Sequence, residues 1–455
     1  MASREFRSPF STLPDELVTQ ILNWSTFDKY RFPSRAFCVI ISLALVCRRF
    51  HRIVTPFLFE DIGCSKVDHT IVPPCEQILQ LHRVLKYNPQ LRSKCFYLCI
   101  EIDHHAITTN EDFAVARDLV SWLTNVRTLL LVGGFERWRA VGPRRGALAP
   151  KRRHRQNVLN LIRHASQSMP ALKDFQIIDV SDADIPGITL AEAMDYIEFP
   201  SLEELNLHIN GRSDSARISK IAKKSRCAPM KRISLNYCKD THEALIEFIR
   251  WPKALTSLAI RTKGRHLDPF VPYDFQELFS VHKDTLTFLN IELGRNGSLF
   301  DVSNFPNLEV LELSRGWDPL SRALKWSPSH ADLLLAPNLH TLVIKFDACT
   351  ESLRHLLNFG DLEEEWSREF ARTAAVINSK LACINLQVGT SSCEISGTNG
   401  ESQSHALADL AGDIKMYGVT LRHSEELNLI GMVGGHADWD EEENIDGREY
   451  GSDAL

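Results

Sequence analysis

The sequence predicts an α/β fold in two parts. An N-terminal three-helix module is followed by an irregular solenoid, with a parallel sheet on its concave side and helices on its convex side. Three observations carry this reading. The first sixty residues place apolar side chains at helical spacing. From residue 95 a hydrophobic triplet at i, i+3 and i+5 recurs ten times, most copies lying 22 to 31 residues apart. Amphipathic helical stretches fill the intervals between copies. At 455 residues the chain is also too long for one ordinary globular core.

The module is expected over residues 9–62. Its opening, "STLPDELVTQIL", begins with a hydroxyl cap candidate at Ser11 or Thr12 and an early proline, Pro14. The acids Asp15 and Glu16 follow, where the helix dipole favours them. Leu13, Leu17, Ile21 and Leu22 then recur at helical spacing. A second helix is expected from about Arg35 to Ile53, ending before Pro56. It contains the apolar run "AFCVIISLALVC", only 12 residues long, whereas a bilayer needs roughly 20. This run is therefore no membrane anchor.

A helical connector is expected over 63–94, and the array over 95–430. The clearest triplets are "LEELNL" at 202, "LTSLAI" at 255, "LTFLNI" at 286, "LEVLEL" at 308 and "LHTLVI" at 339. Looser copies start at 95, 126, 172, 230 and 381. In an extended strand i+3 and i+5 point to one side and i+2, i+4 and i+6 to the other. One face is thus apolar and the other mixed. A strand followed by a helix, repeated, stacks into a solenoid.

Two segments stand apart. Residues 137–156 carry eight Arg or Lys with Gly and Pro, and read as an exposed loop. That run would suit nuclear import or contact with acidic partners. Residues 431–455 are expected to form an acidic disordered tail.

The triplets, above all "FPSLEELNL", "FPNLEVLEL" and "APNLHTLVI", resemble the leucine-rich-repeat family. Asn210 and Cys238 fill the position where that family places Asn or Cys. The first sixty residues resemble the F-box, a helical module that docks a Skp-family adaptor of cullin ubiquitin ligases. Leu13 and Pro14 match its opening pair, and Leu17, Ile21 and Leu22 its first apolar face. Leu43, Val46, Cys47 and Phe50 match its later signature, with Leu45 inside the same run. Phe57, Leu58 and Phe59 match its closing segment. The stretch between Leu22 and Leu43 is longer than the family's usual one. The whole layout is similar to fungal proteins that combine the two modules. The resemblance implies a non-catalytic adaptor that binds a Skp-family protein, and through it a cullin-RING ligase. A protein substrate would sit on the repeat array.

Candidate substrate contacts lie on the mixed strand face, which the alternation marks as solvated. They are Glu204, Asn206, His208, Arg232, Asn236, Arg261, Phe288, Asn290, Glu292, Glu312 and Lys345. A repeat scaffold outside any ubiquitin pathway is the alternative, its N-terminal helices serving as a cap.

The sequence holds no GxxxxGK[ST], HExxH, GxSxG or GxGxxG motif, so no enzyme, cofactor or metal is expected. "EIDHH" at 101–105 and "GMVGGHAD" at 431–438 read as strand end and loop. A formal net charge of −6 gives no case for nucleic acid or membrane as partner. Eleven cysteines without CxxC pairs suit a reducing compartment, cytoplasm or nucleus.

Overall fold

The computed structural model describes residues 13–25, 40–64, 74–102, 110–133, 148–178, 187–209, 211–236, 238–261, 275–293, 300–315, 326–346, 361–388 and 399–424. Its backbone is one twelve-stranded parallel sheet in sequential order. The strands are β1 (Asp61–Cys64), β2 (Tyr97–Glu101), β3 (Thr128–Val132), β4 (Asp174–Ile178), β5 (Glu204–His208) and β6 (Arg232–Asn236). They continue with β7 (Ser257–Arg261), β8 (Phe288–Leu293), β9 (Val310–Arg315), β10 (Thr341–Phe346), β11 (Cys383–Val388) and β12 (Thr420–Ser424).

All ten hydrophobic triplets are strands, β2 to β11, and each strand starts at its i+2 residue. The register aligns equivalent positions throughout, for example Leu205 with Ile233 and Leu235 with Ile260. Residues at i+1 extend the pairing as a backbone ladder in which each accepts an N–H from the next repeat. Lys231 N donates to Glu203 O at 2.9 Å, Thr256 N to Lys231 O at 2.8 Å and Thr287 N to Thr256 O at 2.8 Å. The side chains at i, i+3 and i+5 are buried from β2 to β11 in one continuous core that runs from Ile62 to Val419.

The array starts earlier than expected. β1 pairs in register with β2, so the sheet begins at 61 and not at 95, and the connector 63–94 is only partly helical. Phe59, Ile62 and Cys64 satisfy the same triplet but straddle the expected end of the module at 62, Phe59 reading as part of its closing segment and Cys64 as connector. β12 was also hidden, because Gly418 and His423 stand where the triplet has apolar residues.

The module contributes α1 (Asp15–Ser25), a helical turn over 40–44 and α2 (Arg48–Leu58). The expected continuous helix to Ile53 is broken at 45–47. Cys47 has extended backbone and caps α2, its Sγ accepting from Phe50 N at 3.5 Å. Pro56 lies inside α2 rather than beyond it. Tertiary packing overrides its cost, because Ile53 and Val54 of the preceding turn are buried.

The helices facing the array core are α3 (Pro74–Tyr87), α4 (Asn110–Trp122), α5 (Leu148–Ser168), α6 (Leu190–Tyr196), α7 (Ser215–Ile221) and α8 (His242–Arg250). After them come α9 (Phe275–Ser280), α10 (Pro328–Leu334), α11 (Asp361–Val376) and α12 (Asn399–Lys415). Residues 148–156, expected in an exposed loop, form the first turns of α5. The apolar stripe of Val158, Leu159, Leu161 and Ile162 is buried, and helix propagation carries the preceding basic residues with it. The rest of that segment, the acidic tail, Asn210 and most of "EIDHH" lie outside the described residues; Cys238 is buried.

One buried carboxylate ties three repeats together. Asp240, with no exposed surface, accepts from Leu190 N at 2.8 Å, Ser213 N at 2.6 Å, Ser213 Oγ at 2.7 Å and Thr241 N at 2.8 Å. It thereby satisfies backbone donors at the starts of α6 and α8. Gly211 must lack a side chain there, since a Cβ would lie 2.6 Å from Gly187 O and 2.7 Å from Thr189 Cγ2. Among the described residues, no helix is long and apolar enough to cross a membrane, and no His, Cys, Asp and Glu group forms a metal site.

Candidate interaction surfaces

The N-terminal module has a small core of its own. Val18, Leu22, Ile40, Ala44, Ile53 and Val54 form a cluster separate from the array core, with Leu13, Leu43, Phe50, Phe57 and Leu58 packed around it. Leu22, expected on the docking face, is only 5 % exposed and belongs to this core. On α1 it follows Val18 by four residues and so shares its inward face.

The rest of the expected set divides in two. Leu13, Leu43 and Phe50 are half-buried supports. Pro14, Leu17, Ile21, Leu45, Val46 and Cys47 are exposed. Leu45 at 81 % and Val46 at 65 % are the most open, in the break between the turn at 40–44 and α2. Ile41 is exposed with them and was not singled out from the sequence. Its spacing of four from Leu45 was the available signal.

The arginines that end the apolar run hold the module closed. Arg49 Nε donates to Asp15 Oδ1 at 2.8 Å, and its Nη2 donates to Leu13 O. Arg52 pairs with Asp15 Oδ2. These contacts tie the start of α1 to α2. The hydrogen bond from Arg49 is the main cause holding the Asp15 carboxyl below its ordinary pKa.

The second surface is the sheet face opposite the helices. The array places Glu204, Asn206, His208, Arg232, Asn236, Arg261, Phe288, Asn290, Glu312 and Lys345 on it, as the alternation requires, and Glu292 falls within β8. The side chain of Glu292 lies outside the described residues. The face is less solvated than expected. Asn236, Asn290 and Glu312 are buried; Asn290 and Glu312 stand in the middle row, which in-register neighbours about 4.8 Å away cover.

These polar side chains bond one another across strands. Arg232 Nε donates to Glu204 Oε2 at 2.7 Å and Asn236 Nδ2 to Asn206 Oδ1 at 2.8 Å. Asn290 Nδ2 donates to Glu312 Oε1, which Lys345 Nζ also engages. Arg261 and Arg232 remain exposed, and Phe288 is half-buried.

The first strands of this face differ in character. Cys99, Leu130 and Val132 form a small apolar cluster with Tyr97 and Ile178. Beside it Asp174 stands in register opposite Glu204. Burial, chiefly, and the Glu204 charge push the Asp174 carboxyl up to about 6, against a hydrogen bond from Gln176. Asp174 Oδ1, Asn290 Oδ1 and Asn385 Oδ1 are buried without hydrogen-bond partners, each a cost of about 1–3 kcal/mol. Asp174 and Asn385 were not singled out from the sequence, although the looser triplets at 172 and 381 place them at i+2 and i+4.

No family model matches the chain, and no curated protein matches its sequence. The two surfaces are thus assigned by their own geometry.

Proposed function

We propose that this chain is a non-catalytic substrate-recognition adaptor of a Skp-cullin-F-box type ubiquitin ligase. In this reading the N-terminal module binds a Skp-family linker and the strand face of the array holds a protein substrate. The observation that carries it is the set Leu17, Ile21, Ile41, Leu45 and Val46, exposed together on a module whose core is already filled by other residues. Apolar side chains concentrated in this way suit a partner's apolar helices. The strand face supports the second half, since its mixed charge with aromatic and apolar positions fits a protein better than a phosphate backbone. The function is proximity: a target held beside a ubiquitin-conjugating enzyme reacts at raised effective concentration, with no chemistry in this chain.

The test is co-expression with a Skp-family adaptor and co-purification. Full-length chain is expected to retain the adaptor, and Leu45→Asp with Val46→Asp to lose it while melting as the parent does. Both residues are open to solvent, so the changes leave the module core intact. Retention by the double variant would remove the patch from the interface. A folded parent that retains no adaptor would favour a repeat scaffold outside ubiquitination.

A further inference from the structure

The helix side of repeats three to six carries a concentrated positive surface. Glu192 of α6 is held between two basic helices, pairing with Arg155 of α5 and, at 3.0 Å, with Arg217 of α7. Further along α6, Arg163 lies over the Tyr196 ring at 4.1 Å, and Lys220 reaches Asp195 at 3.2 Å. Lys224 reaches Glu198 at 3.0 Å. The acids of this strip are therefore all engaged, and they are outnumbered. Residues 154–168, 187–198 and 211–226 together hold eight Lys or Arg against four Asp or Glu, formally +4. The whole chain is −6. Arg163, Lys220 and Lys223 stay exposed.

The opposite charge is concentrated in one segment. Residues 431–455 hold eight Asp or Glu against one Arg, formally −7. We infer that this acidic C-terminal segment docks on the α5–α7 surface of its own chain. Reach permits it. β12, the last described strand, ends at Ser424 and lies six strand spacings from β6. That is about 29 Å along the sheet and about 50–60 Å along the helix side, where helices pack 8–10 Å apart. From Ser424 to the acids Asp438 and Asp453 are 14 and 29 residues, spanning at most about 46 and 96 Å. Tethering supplies an effective concentration in the millimolar range, enough for a contact made of many weak charge pairs. The contact leaves the strand face and the N-terminal module open, so it stands or falls independently of the adaptor reading.

Zero-length carbodiimide coupling of the full chain, mixed from light and nitrogen-15 material at about 50 mM salt, tests this. The expected result is links within single chains from Lys220 and Lys223 to acids in 443–453, the ones whose tether spans the distance. These links should fall at least five-fold in 0.5 M salt, where screening shortens to a few ångströms, and in K220E/K223E. Should that variant fail to fold, an excess of a synthetic peptide of residues 434–455 must lower the same links several-fold in the parent. The inference is overturned by links that join only light to heavy chains. It is equally overturned by tail links spread evenly to Lys345, Lys380 and Lys415, or by no tail links.

Discussion

The N-terminal module and the repeat array solve the same problem with opposite outcomes. The array buries its apolar triplets in one core shared by successive repeats and turns mostly polar residues outward, where they bond one another. The module closes a core of six buried residues and leaves a comparable number of apolar side chains in solvent. In the array, each repeat's neighbour completes its burial. In the module nothing does, among the described residues. The apolar triplets of the array are therefore accounted for by folding, whereas no described residue covers Leu45 and Val46.

The largest expected effect sharpens the array side. Asp240→Ala leaves Leu190 N, Ser213 N and Thr241 N without their acceptor in a fully buried site. It should cost about 3–5 kcal/mol, read as a fall in the main urea midpoint. A loss under 1 kcal/mol would mean that α6 and α8 are pinned by other contacts. Next, Val54→Ala in the module core should cost about 1–2 kcal/mol. Because the two cores are separate, hydrogen exchange should quicken over α1 and α2 and stay unchanged from β2 onwards. Uniform quickening would break the comparison, making the module part of the array.

A smaller effect tests the strand face. The Asp174 carboxyl is raised to about 6 in the folded chain against 3.8 for the free side chain. The folded state therefore holds this proton more tightly, so stability falls as pH rises from about 4 to 6, and the full penalty stands above 6. Asp174→Asn should raise stability by roughly 1 kcal/mol at pH 7.5, discounted for partial exposure, and the gain should shrink towards pH 4. A pH-independent gain would assign the effect to packing. His282 has the opposite sense. Burial first, with the Arg226 charge, lowers its pKa against the hydrogen bond to Ile249 O. Its contribution is full above about 6.5 and declines as pH falls below that. His282→Gln should flatten that decline in melts between pH 5 and 7. The smallest stability change belongs to Leu45→Asp, within about 0.5 kcal/mol of the parent, although adaptor binding is expected to vanish.

How much was legible follows residue by residue. Leu205, Leu207, Ile233 and Leu235 announced their strands because period-two burial needs only local geometry. Phe59, Ile62 and Cys64 obey the same rule, but Phe59 also fits the module's closing segment and Cys64 falls in the expected connector, since both structures want apolar residues there. β12 escaped because Gly418 and His423 lack the apolar character on which the rule depends. The docking set was legible as a set of apolar positions but not as a division between core and surface. Leu22 and Ile21 are neighbours in sequence and equally hydrophobic, yet one is buried and the other exposed.

By itself the sequence determined which residues form β2 to β11, where each of those strands starts and which of their side chains enter the array core. Those properties follow from backbone alternation and the transfer of apolar groups out of water, both read within a few residues. Only the tertiary structure decided that Asp240 joins three repeats across 50 residues of chain. It also decided that Asn290 and Glu312 are covered by their strand neighbours, and that Glu192 sits between two basic helices. Such contacts depend on which distant segments the stacking of repeats brings side by side, and hydrogen bonds and ion pairs require partners at defined distances that no local pattern records.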